Sequence, residues 1–462
     1  MRLLRSSPLT RDLYFVTLWV GQAVSEIGTA VTTLVLPLLA ITVLRASTVQ
    51  IGILNACATL AVIAVSIPGG ALVDRNAKVP LMIGCDALRG LLLAAVPILA
   101  VMHLLRMTEL YAVSALVGAL GLLFGVAYHA YYPSLVGNEQ LGEANSKIAS
   151  TEAFARVCGP GLGACLLAVV GAAGAVAADA ISYLASVASL VLIWRHGRRT
   201  GRTEPGTPEE KTQHQSVFRE AFEGFHLVIG DRVLSATAAT VIISTGCLAI
   251  TDAVLMYFLV HDLGLSTPEI GFVWAVGEGG GLAAAIVCGP ILRCVGTARI
   301  MWIAVLAGPV GLLTAAADHA DAVVLTSAFM IISSTRFVLF DVAQYSYRQT
   351  VSPPDAIGKV TATVRMSIAV SSTIGSIGGG WLGVAVGARA TIVVATVLVS
   401  LSGLPVLLSP LRSVRDITEI PAVQQALRRS VLDEQLKHRP SEVVAVADTP
   451  QPRHQAIGHL EV

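Results

Sequence analysis

The chain has 462 residues, 54% hydrophobic and 13% charged, with a formal net charge of +1 and a mean hydropathy of +0.73. Soluble domains carry about 25% charged residues, so this composition excludes a soluble globular protein. It predicts an all-α, polytopic membrane protein, because the apolar runs exceed the roughly 20 residues of a helical span and lack the alternation of barrel strands. The net charge itself identifies no partner, and nucleic acid is not among those expected.

After the basic start MRLLRSSPLTRD, the first apolar run, 13–44, is too long for a cleaved secretory signal and reads as a retained span. Eleven more follow at 49–72, 79–105, 109–134, 146–170, 172–194, 226–260, 268–292, 298–317, 321–347, 358–386 and 388–409. The break between the fifth and sixth rests on Gly171 and Gly174 alone. Basic residues gather in alternate loops: Arg75 and Lys78, Lys147, the cluster from Arg195 to Arg202, Arg293 and Arg299, and Arg348 with Lys359. The opposite loops hold only Arg45, Arg106 and Arg389, so the positive-inside rule predicts both termini in the cytoplasm. The seven cysteines form no CxxC pair and fit small apolar core positions.

RHGRRTGRTEPGTPEEKTQHQ, from Arg195, is charged and rich in Gly and Pro and reads as a linker. The expected organisation is a six-helix half over 1–195, a cytoplasmic linker over 196–225, a second six-helix half over 226–409 and a cytoplasmic tail over 410–462. Within the tail, ITEIPAVQQALRRSVLDEQL spaces Val423, Leu427 and Val431 four apart, as in an amphipathic helix on a membrane surface, with disorder beyond it. A solvated tail without function is the alternative.

The halves repeat. An offset of 216 superposes Gly159 on Gly375, Gly163 on Gly379 and Gly171 on Gly387; an offset of 219 superposes Gly70 on Gly289, Asp74 on Arg293 and Ala77 on Gly296. Parallel repeats of six spans predict a transporter in which one half rocks against the other.

Between the second and third spans stands IPGGALVDRNAKVPLM, in which Gly70-x-x-x-Asp74-Arg75-x-Ala77-Lys78 resembles the signature loop of the major facilitator superfamily. Ala77 replaces that motif's second glycine, and Val79 stands where a second basic residue is common. LWVGQAVSEIGTAVTTLVLPL, YYPSLVGNEQLGEANSKIASTEAFARVCGPGLG and FREAFEGFHLVIGDRVL resemble the branch of macrolide-efflux proteins, the enterobactin exporter and the transmembrane secretion effectors. The resemblance implies twelve helices and a gating latch at Asp74, with Arg75 and Lys78 binding carboxylates or lipid phosphates. Gly159-Pro160-x-x-Gly163 resembles the superfamily's antiporter motif, although packing alone would also explain these residues. The resemblance also implies a cavity lined by the first, fourth, seventh and tenth spans, which carry Gln22, Glu26, Phe124, Tyr128, Ser244, Met256, Arg336 and Phe337.

An ionisable group at the centre of a membrane helix costs about 2.5–3.5 kcal/mol on insertion scales, so each needs a reason. Asp86 with Arg89, and Glu152 with Arg156, are spaced three and four apart and can pair on one helix face. Glu26 and Glu278 have no such neighbour and are the proton-coupling candidates, because a lone carboxyl can take up and release a proton as its surroundings change. Arg336 and Asp341 are candidates for substrate contact.

These residues predict a proton-coupled exporter of an amphiphilic small molecule, such as a drug, another secondary metabolite or a siderophore, working as a monomer in the cell membrane. An importer of the same fold and a receptor that binds without transporting remain the alternatives. A nucleotide-driven pump is disfavoured by the absence of G-x-x-x-x-G-K-[ST], and an enzyme by the absence of HExxH, GxSxG or a Cys/His metal cluster. No metal or cofactor is expected.

Overall fold

The computed structural model describes residue 9 and residues 12–136, 140–199, 217–352 and 356–420. Helices dominate, and no strand occurs among these residues. They are α1 (Leu13–Thr42), α2 (Thr48–Arg75), α3 (Lys78–Val101), α4 (Met107–Leu135), α5 (Leu141–Arg199), α6 (Val217–Gly230) and α7 (Arg232–Tyr257), followed by α8 (Thr267–Val295), α9 (Thr297–Leu306), α10 (Gly311–Ala316), α11 (Ala322–Val351), α12 (Ile357–Val386), α13 (Ala388–Leu401) and α14 (Leu404–Leu407). Eleven continuous helical stretches are long and apolar enough to cross a bilayer. The longest, α5, is broken at Gly171, whose φ of 74° and ψ of 174° are not helical, so it holds the fifth and sixth expected spans. Gly387, one repeat later, has a φ of 87° and opens α13 in the same way. Both positions need glycine because other residues rarely adopt that backbone.

The start signals repeat as well. Asp12 caps α1 through the amides of Tyr14 and Phe15, and Asp231 caps α7 through those of Val233 and Leu234. Ser47 with Gln50 forms a capping box on α2, and Ser266 with Glu269 forms one on α8. Each cap and its counterpart stand 219 residues apart. Asp231→Ala is expected to cost more than Asp12→Ala, because Asp231 also accepts from the buried hydroxyl of Tyr347 at 3.0 Å. A lost cap costs about 0.5–2 kcal/mol, and an orphaned buried hydroxyl adds roughly 1–3 kcal/mol. Thermal unfolding of the two variants in detergent measures the difference, and equal losses would contradict it.

Several expected boundaries move. The seventh span begins at Arg232 rather than 226, because residues 217–230 form the separate helix α6 and Asp231 restarts the chain. Helical structure therefore enters the stretch expected as linker, and α5 runs to Arg199, past the expected boundary at 195. The ninth span is α9, a 3₁₀ turn at Gly308–Val310 and α10. The opening of the tail is not free: Leu411, Ile417 and Ile420 are buried against the second half. Residues 200–216 and most of the expected amphipathic helix lie outside the described residues.

Candidate functional site

Helices α1 to α5 pack among themselves, as do α6 to α14, and the two groups meet mainly through α2 against α12 and α5 against α8. Where they meet decides the shape. One apolar core is shared: Leu34, Leu38, Ile51 and Leu110 of the first group pack with Val254, Phe258, Ile270 and Ile392 of the second. All of these lie toward the end that carries the loops α1–α2, α7–α8 and α12–α13. Toward the opposite end the core divides in two, one built from Phe15, Met82, Tyr128 and Ile148 and the other from Leu234, Met301, Tyr347 and Val364. The protein is therefore sealed at one end and parted at the other.

Small residues make the seal. Thr48 Oγ1 donates to the carbonyl of Gly380 at 2.9 Å, joining α2 to α12, and a Cβ on Gly380 would stand 2.9 Å from Val49 Cα. On the other seam a Cβ on Gly271 of α8 would stand 3.1 Å from the carbonyl of Pro160 on α5. Gly159 and Gly163 seat α5 on Ala30 and Val31 of α1. Gly375 and Gly379 seat α12 on α7 at Gly246 and Ile250, so the glycine motif makes the same close seam in each half.

The loop with Asp74 lies at the parted end. Lys78 Nζ donates to the carbonyls of Val73 at 2.7 Å, Asn76 at 3.3 Å and Asp74 at 3.4 Å, so it caps the C-terminus of α2, where the helix dipole favours a cation. Asp74 and Arg75 are exposed, a Cβ on Gly70 would meet nothing within 4 Å, and neither charged side chain closes an ion pair among the described residues. Its counterpart between α8 and α9 is built differently. Gly296 there has a φ of 99°. The carbonyl of Arg415 accepts from the amides of Ala298 and Arg299, Asp416 accepts from the Thr297 amide at 3.0 Å, and Arg415 donates to the carbonyl of Cys294 at 2.9 Å.

Glu26 accepts from Gln22 Nε2 at 2.7 Å, and the charges that bear on it are Glu152, Arg89 and Arg156. Arg156 also bears on Glu278 of α8, so one exposed arginine on α5 lies within electrostatic reach of both carboxyls from opposite halves. Glu152 and Arg156 do not close to ion-pair distance. Asp86 and Arg89 do, at 3.1 Å, with both side chains buried.

Of the expected cavity residues, Ser244, Arg336, Phe337 and Asp341 come together around one recess between α7 and α11. Phe124 and Tyr128 lie apart from that recess: their rings stack at 6.0 Å inside the first half's core, 3% and 4% exposed. Met256 is likewise buried, in the shared core of the sealed end. Large apolar side chains on almost uniformly apolar helices give no rotational signal.

A polar network surrounds the predicted Asp86–Arg89 pair, and its other members escaped the sequence reading. Asp86 accepts from Ser186 at 2.6 Å, and Arg89 lies 4.4 Å from the centre of the Tyr183 ring. Tyr183 bonds Thr29 at 2.8 Å, while Asp179 accepts from Thr32 at 2.5 Å and Ser182 at 3.0 Å. Thr29, Thr32, Asp179 and Tyr183 also border a cavity of about 260 Å³ inside the first half. The visible signal was the spacing of Asp179, Ser182, Tyr183 and Ser186 on one face of an apolar helix.

The family model for the Major Facilitator Superfamily matches residues 18–364. A multidrug efflux pump, Tap, of Mycolicibacterium fortuitum is 24% identical over 383 residues, covering 81% of this chain and 90% of that protein. Among solved structures, a mutant form of the nucleoside transporter NupG aligns with a TM-score of 0.70 at 11% identity, over 86% of this chain and 99% of its own. A bacterial homologue of the human lysosomal transporter Spinster, in an inward-facing and unoccupied conformation, aligns with a TM-score of 0.65 at 14% identity, over 92% and 98%. With eleven helical stretches apolar enough to cross a membrane, helix caps that recur 219 residues apart and a family model covering most of its length, the chain belongs to the Major Facilitator Superfamily of membrane transporters, and it is not an enzyme.

Proposed function

We propose that the protein is a proton-coupled exporter of amphiphilic small molecules in the cell membrane, working by alternating access. The observation that carries this reading is a carboxyl within a span of each half, Glu26 on α1, bonded to Gln22 at 2.7 Å, and Glu278 on α8. An arginine favours the ionised form of whichever carboxyl stands nearer. Rocking the halves changes those distances, so each carboxyl exchanges its proton at a different stage of the cycle. The 24% identity with a multidrug efflux pump supports export over import.

By the positive-inside rule, the parted end, with Arg75, Lys78, Arg293 and Arg299, faces the cytoplasm together with both termini. The cavity then receives its substrate from inside, and the exposed Asp74 and Arg75 await partners on the other half. Those partners come within reach when the cytoplasmic end closes and the shared core parts. Latch and seal are thus alternatives, each present when the other is broken.

Everted vesicles loaded with acid test the coupling. Addition of a transported compound, drawn from dyes, macrolides and siderophores, is expected to release protons with the wild type, and Glu26→Gln is expected to remove at least about 90% of that release, a loss typical of an essential proton-transfer group. Accumulation of compound without proton release would reject antiport. Tracer movement out of the everted lumen only would favour the importer, and binding without any flux would favour the receptor.

A further inference from the structure

Arg89 has Asp86 at 3.1 Å, Arg348 lies 4.9 Å from the centre of the Tyr345 ring with Asp341 bearing on it, and Arg389 reaches the carbonyl of Ala317 at 3.0 Å. Arg336, on α11, has no counterpart to any of these. Its Nε is buried without an acceptor, as are those of Arg89 and Arg348, but among the described residues no carboxylate stands at ion-pair distance and no ring covers its guanidinium. A guanidinium in hydrocarbon surroundings without a partner is costly, and in membrane proteins such groups mark ligand pathways.

A second orphan lies beside it. The hydroxyl of Thr240 on α7 is also buried without a partner, and it borders the same recess as Arg336, together with Ser244 and Phe337. The one acid in that recess, Asp341, accepts from Gln344 at 2.9 Å and has Arg348 as its cationic neighbour. It therefore leaves Arg336 uncompensated. The unsatisfied groups are a guanidinium and a hydroxyl, and both can donate. Both are answered by an acceptor with negative charge, while the rings of Phe337 and Phe340 supply apolar surface for whatever carries it.

We propose that this recess is an oxyanion subsite, in which Arg336 and Thr240 bind a carboxylate or another singly charged oxygen anion of the transported amphiphile. The proposal deepens the transport reading and rests on it for the word substrate, but not for the binding itself. Arg336 recognises the anion by charge-assisted, planar donation, Thr240 adds a neutral hydrogen bond, and Asp341 on the rim discriminates against a second negative charge. The substrate is then an anionic or zwitterionic amphiphile rather than a purely cationic one.

The test uses three fluorescent probes on one tail: dansylaminoundecanoate, its carboxamide and the corresponding trimethylammonium compound, titrated onto the purified full-length protein in lipid nanodiscs. The wild type is expected to bind the carboxylate roughly tenfold to a hundredfold more tightly than the carboxamide, the range for a hydrogen bond to a charged group. Arg336→Gln is expected to erase that preference without weakening the carboxamide, and Arg336→Lys to restore part of it. Equal binding of all three head groups by the wild type, a preference for the ammonium, or no binding of any of them would overturn the subsite, and this comparison needs no variant to fold. Loss of proton release in vesicles with the carboxylate preference intact would instead overturn antiport and leave the subsite standing.

Discussion

Gly380→Leu is expected to force open the sealed end while leaving each half folded. A Cβ at this position would stand 2.7 Å from the carbonyl oxygen of Thr48 and 2.9 Å from Val49 Cα. Both are backbone atoms of α2, and no rotamer change can move them aside. The seam joins the two halves across the shared core, so the least costly response is separation of α12 from α2. That separation also breaks the bond from Thr48 Oγ1 to the carbonyl of Gly380. Overpacking costs about 1–3 kcal/mol, enough to shift the balance of sealed and open forms roughly 5- to 150-fold. A single cysteine at Met256, which is 5% exposed in the shared core, reports the change in a background cleared of the native cysteines. Its reaction with a membrane-impermeant thiol reagent added from outside is expected to accelerate by that factor, and transport to fall with it. Unchanged labelling would mean that this seam does not hold the end closed.

Arg89→Met is expected to be the most destabilising of the charge changes, and Asp86→Asn with Arg89→Met to be milder than Arg89→Met alone. Asp86 is 0% exposed, and it keeps only the Ser186 hydroxyl when the guanidinium is gone. Removing one partner of a buried ion pair typically costs about 3–5 kcal/mol, whereas replacing both can be close to neutral. Arg89 also covers the Tyr183 ring, which ties α3 to the second part of α5, so the double variant retains some loss from that contact. A double-mutant cycle by thermal unfolding in detergent measures the coupling, and additive losses would mean that the pair contributes little.

The fold was legible because a bilayer leaves few choices: apolar runs of span length must be helices, and the glycines repeating at an offset of 216 must make equivalent contacts. The caps at Asp12, Ser47, Asp231 and Ser266 were equally readable and would have strengthened the repeat. The rotation of each helix was not. In a soluble protein the polar face orients the helix, but lipid and protein interior are alike to Phe124, Tyr128 and Met256, so their positions in the sequence do not say which way they turn. Polar residues remained informative because hydrocarbon tolerates them only with partners. Spacing found Asp86 with Arg89, whereas Glu152 and Arg156, equally well spaced, do not close a pair beside the charges of Glu26 and Glu278. Local geometry permits a pair; the neighbours from other helices decide it.

The loops at Asp74 and Gly296 occupy corresponding places 219 residues apart, and among the described residues the tail binds the second. Arg415 and Asp416 reach Cys294, Thr297, Ala298 and Arg299 by main-chain and side-chain bonds, which splices this segment onto the hinge between α8 and α9. A load that pulls on residues 415–416, such as a tether or a bound protein, is delivered through this splice to the second half. The segment around Arg415 and Asp416 is thus a lever attached to one of the two moving parts.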